Sequence, residues 1–117
     1  MPRISGAFKG AELRIHDRAS IRLPVTFSCN EISYTGVIRD ISLGGMFVAT
    51  LMLLSPGSEV DLEFALPGSD EALHIHAQVC WIREYSPVGN AHPGMGFRFV
   101  DPEEAVRAKI DQYVQGQ

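Results

Sequence analysis

The sequence predicts a single, mostly β domain, in which about six short strands form a small antiparallel barrel or sandwich and one helix follows at the C-terminus. The length of 117 residues suits one domain. Turn-forming residues interrupt β-rich stretches at short intervals, and helical spacing of apolar residues is confined to the last part of the chain. The composition, 45% hydrophobic and 21% charged, is that of an ordinary folded protein and excludes collagen-like and mostly disordered chains.

The strands are separated by short turns. Asn30 and Glu31 are placed to form a tight turn between the first two, and clusters rich in proline, glycine and serine fall at residues 55–58, 67–71 and 86–94. Residues 1–12 show no periodic pattern and predict a flexible N-terminal arm, so the domain proper would span residues 13–117. The β-rich segments are Ile21–Cys29, Ile32–Ile41, Gly45–Thr50, Ser58–Leu66, Leu73–Tyr85 and Gly94–Val100.

A capping pattern marks the start of the C-terminal helix. Asp101 is suited to the N-cap, Pro102 to the first helical position and Glu104 to the third, as in a capping box. Gly116 is placed to end the helix. The apolar residues at helical spacing are Val106, Ile110, Tyr113 and Val114. We expect this amphipathic helix to cover an open end or face of the sheet.

The sequence predicts a cytoplasmic protein without membrane insertion. Its longest apolar run, Met46–Leu54, is too short to cross a bilayer, and the first ten residues contain no apolar stretch like that of a signal peptide. The two cysteines, Cys29 and Cys80, are predicted as buried thiols on strands, although a disulfide between them stays open.

Charge is distributed unevenly along the chain. Residues 1–39 contain six basic and three acidic residues, whereas residues 40–117 contain four basic and eleven acidic residues. A basic N-terminal third on an acidic body favours a small anionic ligand over DNA or RNA. A solvated basic arm without a partner is the alternative explanation of the same charges.

Two short motifs carry the chemistry. Arg14 and Arg18 form an R-x-x-x-R motif, whose guanidinium groups face the same way in a helix or a strand. Asp40, Ser42 and Gly45 form a D-x-S-x-x-G motif at the end of a predicted strand, where a simple turn is the alternative explanation. If the tight turn forms as predicted, Asp40 lies opposite residue 21 and therefore close to Arg18.

These side chains suit a guanine nucleotide. Arginine pairs with phosphate or with the O6/N7 edge of guanine and stacks on the base. Asp40, as an ionised acceptor, can receive the N1 and N2 hydrogens of the opposite edge. The hydroxyl of Ser42 can donate to phosphate, and the Gly44-Gly45 backbone lets amides approach it.

The chain resembles the PilZ domain, a bacterial receptor for cyclic di-GMP. The resemblance rests on both motifs and on later strands that contain Val79-Cys80-Trp81 and the closing Gly94–Phe99 segment. It implies a six-stranded antiparallel β-barrel with a C-terminal α-helix, no catalysis and no cofactor. It also implies that the arginine segment becomes ordered over cyclic di-GMP and passes the change to a protein partner in motility, polysaccharide or virulence control. The implied ligand-binding residues are Arg14, Arg18, Asp40, Ser42 and Gly45.

The resemblance leaves some positions open. Many relatives carry an additional arginine directly before the first motif arginine, where this chain has Leu13, and this difference favours one ligand per chain over an intercalated pair. Gly44 and Arg83 are further candidate contacts. Arg39, Arg83 and Arg98 are each equally well explained as contacts or as surface charges.

Other functions receive less support. His74 and His76 share a strand face, but no further metal ligands have suitable spacing, so we expect them to face solvent and predict no metal site. The sequence lacks a G-x-S-x-G nucleophile motif and does not predict an enzyme. An aromatic platform for nucleic acid is conceivable, but strand periodicity places most of the aromatic residues in the core. The main alternative is a PilZ-fold adaptor that binds a protein and no nucleotide; such domains usually lack one of the two motifs.

Overall fold

The structure, a computed structural model, describes residues 18–89 and 91–117. The predicted arm, Leu13 and Arg14 therefore lie outside the described residues. The described elements are β1 (Arg18–Cys29), β2 (Ile32–Ser42), β3 (Gly45–Ala49), β4 (Glu59–Phe64), β5 (Leu73–Arg83), β6 (Gly94–Phe99) and the helix α1 (Glu104–Gln115).

The six strands close into one barrel in the order β1-β2-β3-β6-β5-β4. Every neighbouring pair is antiparallel. The barrel closes through three residue pairs between β1 and β4, from Thr26–Glu63 to Ser28–Asp61. Closure of a sheet is one way in which small β domains avoid strand-mediated aggregation. The prediction of a six-stranded antiparallel barrel with a C-terminal helix is confirmed.

The barrel interior is filled by alternate residues of the strands, as a pleated sheet requires. On β4, for example, Val60, Leu62 and Phe64 are buried while the residues between them are exposed. The helix contributes three buried residues to the same core: Val106, Ile110 and Val114. The helix thus covers apolar residues of the barrel, as the spacing of its own apolar residues predicts.

The helix starts later than its sequence pattern predicts. Glu103 is the N-cap, with extended backbone and no side-chain capping bond, and the helix begins at Glu104. Asp101, the predicted N-cap, has a φ of 46°, which is outside the β region that an N-cap normally adopts. The left-handed conformation turns the chain from β6 towards the helix, so Asp101 serves the connection and the predicted capping box is wrong.

The β1–β2 hairpin has the predicted turn but a corrected register. Asn30 and Glu31 have φ values of 53° and 69°, the two left-handed residues of a type I′ turn. Cys29 pairs with Ile32, but a bulge between Ser20 and Leu23 changes the register further along. Asp40 consequently lies opposite Ser20 and not opposite Ile21 as predicted. The error is one residue, and Asp40 stays close to Arg18.

A second bulge, between Val79 and Trp81 on β5, explains another correction. An extra residue on one strand breaks the alternation of inward and outward side chains. Cys80 and Trp81 are both exposed as a result. Cys80 is thus not the buried thiol predicted from strand periodicity, and Cys29 is only partly buried; both cysteines are free. Among the described residues, no helix is long and apolar enough to cross a membrane.

His76 on the outer face of β5 lies between two carboxylates of β4. Its Nδ1 is 3.0 Å from Oδ1 of Asp61, and its Nε2 is 2.7 Å from Oε1 of Glu59. The hydrogen bond to Asp61, and secondarily that to Glu59, raises the pKa of His76 above its ordinary value of 6.5. His74 and His76 are both exposed, as predicted, and no group of three or more potential ligands in residues 18–89 and 91–117 is placed to hold a metal.

We expect His76 to make stability depend on pH. Because its pKa is higher in the folded than in the unfolded state, its contribution is fully present below about pH 6.5 and is lost as the pH rises through the raised value. Replacing His76 with glutamine should therefore lower the midpoint of thermal unfolding more at pH 6 than at pH 9. His74→Gln, on the same strand face, is the control. Equal effects of His76→Gln at both pH values would contradict the prediction.

Candidate functional site

Arg18 and Asp40 form an ion pair at the start of β1. Nε and Nη2 of Arg18 donate to Oδ1 of Asp40 at 3.0 and 2.6 Å, so the planar guanidinium is fixed by two bonds. Arg18 lies opposite Ser42 and Asp40 opposite Ser20, which brings the two side chains to the same outer face of the barrel. About a third of each side chain is exposed, 36% and 34%, so the pair remains accessible to a ligand.

Ser42 lies beneath this ion pair and is only 2% exposed. Its Oγ accepts from Nη1 of Arg18 at 3.4 Å and from the backbone amide of Gly44 at 3.3 Å, and it donates to the carbonyl of Gly45 at 3.4 Å. All three bonds are long, but together they connect the second arginine of the first motif to the loop of the second motif. In this arrangement the Ser42 hydroxyl holds the loop through its bonds to Gly44 and Gly45. The predicted bond from Ser42 to phosphate would require these bonds to rearrange.

Gly45 of the second motif allows β3 to approach β6 closely. A Cβ on Gly45 would lie 2.0 Å from the carbonyl oxygen of Phe97, a distance that no real side chain tolerates. The carbonyl of Gly44 accepts a 2.9 Å bond from the amide of Phe99. Gly45 is therefore required by strand packing, in addition to the role at the ligand that the sequence predicts for it.

Next to Asp40, the outer face of the barrel carries an aromatic surface. Phe47 is the cross-strand partner of Asp40 on β3. Trp81 stacks on Phe47 with ring centroids 5.3 Å apart and planes 16° from parallel. Trp81 lies over Gly96, where a Cβ would be 2.2 Å from the indole Nε1, and 47% of Trp81 is exposed. Asp40 thus borders a flat aromatic surface that is open to solvent.

Arg83 borders the same aromatic surface. The centre of its guanidinium is 4.6 Å from the centroid of the Phe47 ring, within the range of a cation–π interaction. Its Nε donates to the carbonyl of His92 at 2.7 Å, which joins the end of β5 to the loop before β6. Phe47 therefore lies between Arg83 and Asp40 on the surface of the barrel.

The structure brings most of the predicted site residues together. Arg18, Asp40, Ser42, Gly44 and Gly45 form one cluster, and Arg83 lies beside it. Arg14 and Leu13 are outside the described residues and stay predictions. The sequence analysis did not single out Trp81, which lies on the outer face of the barrel close to this cluster. The signal that could have found it is the glycine at residue 96, which leaves room for a large side chain to lie on the sheet.

Comparison with known proteins agrees with this architecture. The family model described as PilZ domain matches residues 12–116. A search of curated protein sequences found no significant match.

Solved structures with the same fold come from several bacteria. The Bacillus subtilis inhibitor of motility, MotI/DgrA, superposes with a TM-score of 0.76 at 18% identity, covering 90% of this chain and 50% of that one. The PilZ domain of Escherichia coli YcgR, solved with c-di-GMP, has a TM-score of 0.73 at 20% identity, covering 90% and 91%. The PilZ domain of CeSA from a cellulose-synthesizing bacterium has a TM-score of 0.59 at 26% identity, covering 85% and 95%. The chain thus spans only half of MotI but nearly all of the isolated YcgR domain.

Proposed function

The chain belongs to the PilZ domain family, and we propose that it is a receptor for cyclic di-GMP. The observation that carries the proposal is the exposed Arg18–Asp40 pair, held over Ser42 and beside the glycine loop. Structures of YcgR, of Borreliella burgdorferi PlzA and of Klebsiella MrkH with c-di-GMP share the fold and support the same ligand. These neighbours are 22%, 17% and 15% identical to this chain, so the argument depends on the residues of the site.

Each site residue has a role that follows from its chemistry. Asp40 presents a carboxylate that can accept the N1 and N2 hydrogens of guanine, an edge that adenine lacks. Arg18 keeps two of its five N–H donors for the base or a phosphate, and Asp40 holds it in place. Trp81 supplies a flat apolar surface on which a guanine base can stack. The site would therefore select for guanine through Asp40 and for a charged, planar ligand through its neighbours.

We further propose that the segment carrying the arginine motif closes over the ligand. Arg14 would then supply a second guanidinium, and Leu13, which cannot pair with a second nucleotide, favours one ligand per chain. The receptor would act in the cytoplasm by presenting the ordered segment to a protein partner. As a receptor it would bind the nucleotide without breaking any of its bonds.

Isothermal titration with cyclic di-GMP tests the proposal. We expect saturable binding with one ligand per chain, no comparable heat with cyclic di-AMP, and weak or no binding of GTP. Amide NMR shifts should change at residues 14–18 and 40–45. A chain that shows neither heat nor shifts with cyclic di-GMP, but captures a protein in its absence, would be an adaptor and not a receptor.

A further inference from the structure

Arg98 lies on the outer face of β6, directly across from Gly45 of the second motif. We propose that Arg98 is a further ligand-binding residue, which holds a phosphodiester group of the cyclic dinucleotide over Gly45 together with Arg18. The inference rests on the proposed function, and adds to it a contact that neither sequence motif contains. Three observations support it: the position of Arg98, the absence of a side chain between it and Arg18, and the nature of its hydrogen-bond partner.

The strand register places the two arginines on either side of Gly45. Arg18 is paired with Ser42 on β2, and Gly45 on the adjacent strand β3 is paired with Arg98. Three strand spacings separate the two arginine backbones, on the order of 14 Å. Gly45 lies between them in the register and has no side chain; the residue is buried, so an anion would lie above it, between the two exposed arginines. Ser42, also in between, is buried beneath the Arg18–Asp40 pair.

The partner of Arg98 positions it without neutralising it. Nη2 of Arg98 donates to Oε1 of Gln78 at 2.7 Å, and Nε2 of Gln78 donates in turn to the carbonyl of Gly57 at 3.3 Å. Within residues 18–89 and 91–117, no carboxylate lies within ion-pair distance of Arg98. The guanidinium thus keeps its full charge and most of its five donors. Arg18, by contrast, is already compensated by Asp40.

This difference assigns the two arginines different tasks. A charge-assisted hydrogen bond from an uncompensated arginine to a phosphate is stronger than one from an arginine already paired with a carboxylate. Arg98 is therefore suited to the anionic phosphodiester. Arg18, oriented by Asp40, is suited to the base as well as to phosphate. In a chain with a net charge of −4, an uncompensated cation beside the motif loop also favours the approach of an anion.

The test is titration of the Arg98→Gln variant with cyclic di-GMP. We expect the Kd to rise about tenfold, the effect of losing one hydrogen bond between charged groups, and to depend less on salt than in the wild type. Gln78→Glu, which would neutralise Arg98 without removing it, should also raise the Kd. The matched control is Arg107→Gln on the exposed face of α1, which should bind within twofold of the wild type. Circular dichroism should show that all three variants are folded.

Three results would overturn the inference, and they differ in what else they affect. If the wild type binds, Arg18→Gln abolishes binding and Arg98→Gln binds as tightly as the wild type, then Arg98 is a surface charge and the receptor function stands. If the wild type itself gives no binding, both the receptor function and the role of Arg98 are wrong. An equal rise of the Kd in Arg98→Gln and Arg107→Gln would show a general effect of charge on binding, and would also overturn the specific contact of Arg98.

Discussion

Replacement of Arg18 with alanine is expected to weaken the binding of cyclic di-GMP on the order of 100-fold while the barrel stays folded. Arg18 makes two bonds to Asp40 and one to Ser42, so its loss removes the proposed ligand contact and also frees the carboxylate that would bind the guanine edge. Two hydrogen bonds to charged groups, each about 1.5 kcal/mol or more, account for a change of this size. The cost to folding is small, because a partly exposed ion pair contributes about 1 kcal/mol at most.

The binding and folding effects of Arg18→Ala can be measured separately. Titration calorimetry gives the Kd, and thermal unfolding gives the stability, for which we expect a shift of about 5 °C or less. Arg107→Ala, which removes an exposed arginine from the helix, serves as the control for charge. Binding of wild-type strength by Arg18→Ala would show that the first motif is not part of the site, and would leave the Arg18–Asp40 pair as a structural contact between β1 and β2.

The sequence predicts the fold well because its signals are local. Turn residues separate the strands, and the tight turn at Asn30 and Glu31 fixes the first hairpin from two adjacent residues. The features that sequence reasoning missed depend on contacts between distant segments. The bulge after Ser20, which moves the partner of Asp40 by one residue, has no marker such as a glycine. The helix start was also misplaced, because Asp101 takes a conformation set by the connection from β6.

The residues of the candidate site also differ in whether local sequence signals or contacts between distant segments place them. Arg18, Asp40 and Ser42 could be brought together from sequence, because one hairpin connects them and their chemistry is unusual in combination. Trp81 could not, since a strand period of two assigns each residue to a face only while the alternation continues, and the bulge on β5 interrupts it. Arg98 was visible as a charge, but its position across from Gly45 depends on the pairing of β3 with β6, which no local pattern specifies.

Replacement of Gly45 with alanine is expected to destabilise the protein by about 3 kcal/mol, the upper part of the range for forcing atoms into a packed region. The added Cβ would lie 2.0 Å from the carbonyl oxygen of Phe97 and 3.1 Å from its carbonyl carbon. These are backbone atoms, which cannot rotate away as the end of a side chain can, so β3 and β6 must separate. The midpoint of thermal unfolding should fall on the order of 10 °C. Gly89→Ala, whose Cβ would have no neighbour closer than 3.9 Å, is the matched control and should leave the midpoint nearly unchanged.

Gly45→Ala also distinguishes two explanations of the glycine in the second motif, namely strand packing and ligand binding. If strand packing requires it, Gly45→Ala should lose stability in the absence of ligand, and lowering the temperature should restore some folded chain and with it some binding. If instead the ligand requires it, the midpoint without ligand should equal that of Gly89→Ala, and binding should be absent at every temperature. The short distances to Phe97 favour the first outcome. A fully stable Gly45→Ala chain that fails to bind would assign Gly45 to the ligand alone, and would show that β3 and β6 have more room to adjust than their packing indicates.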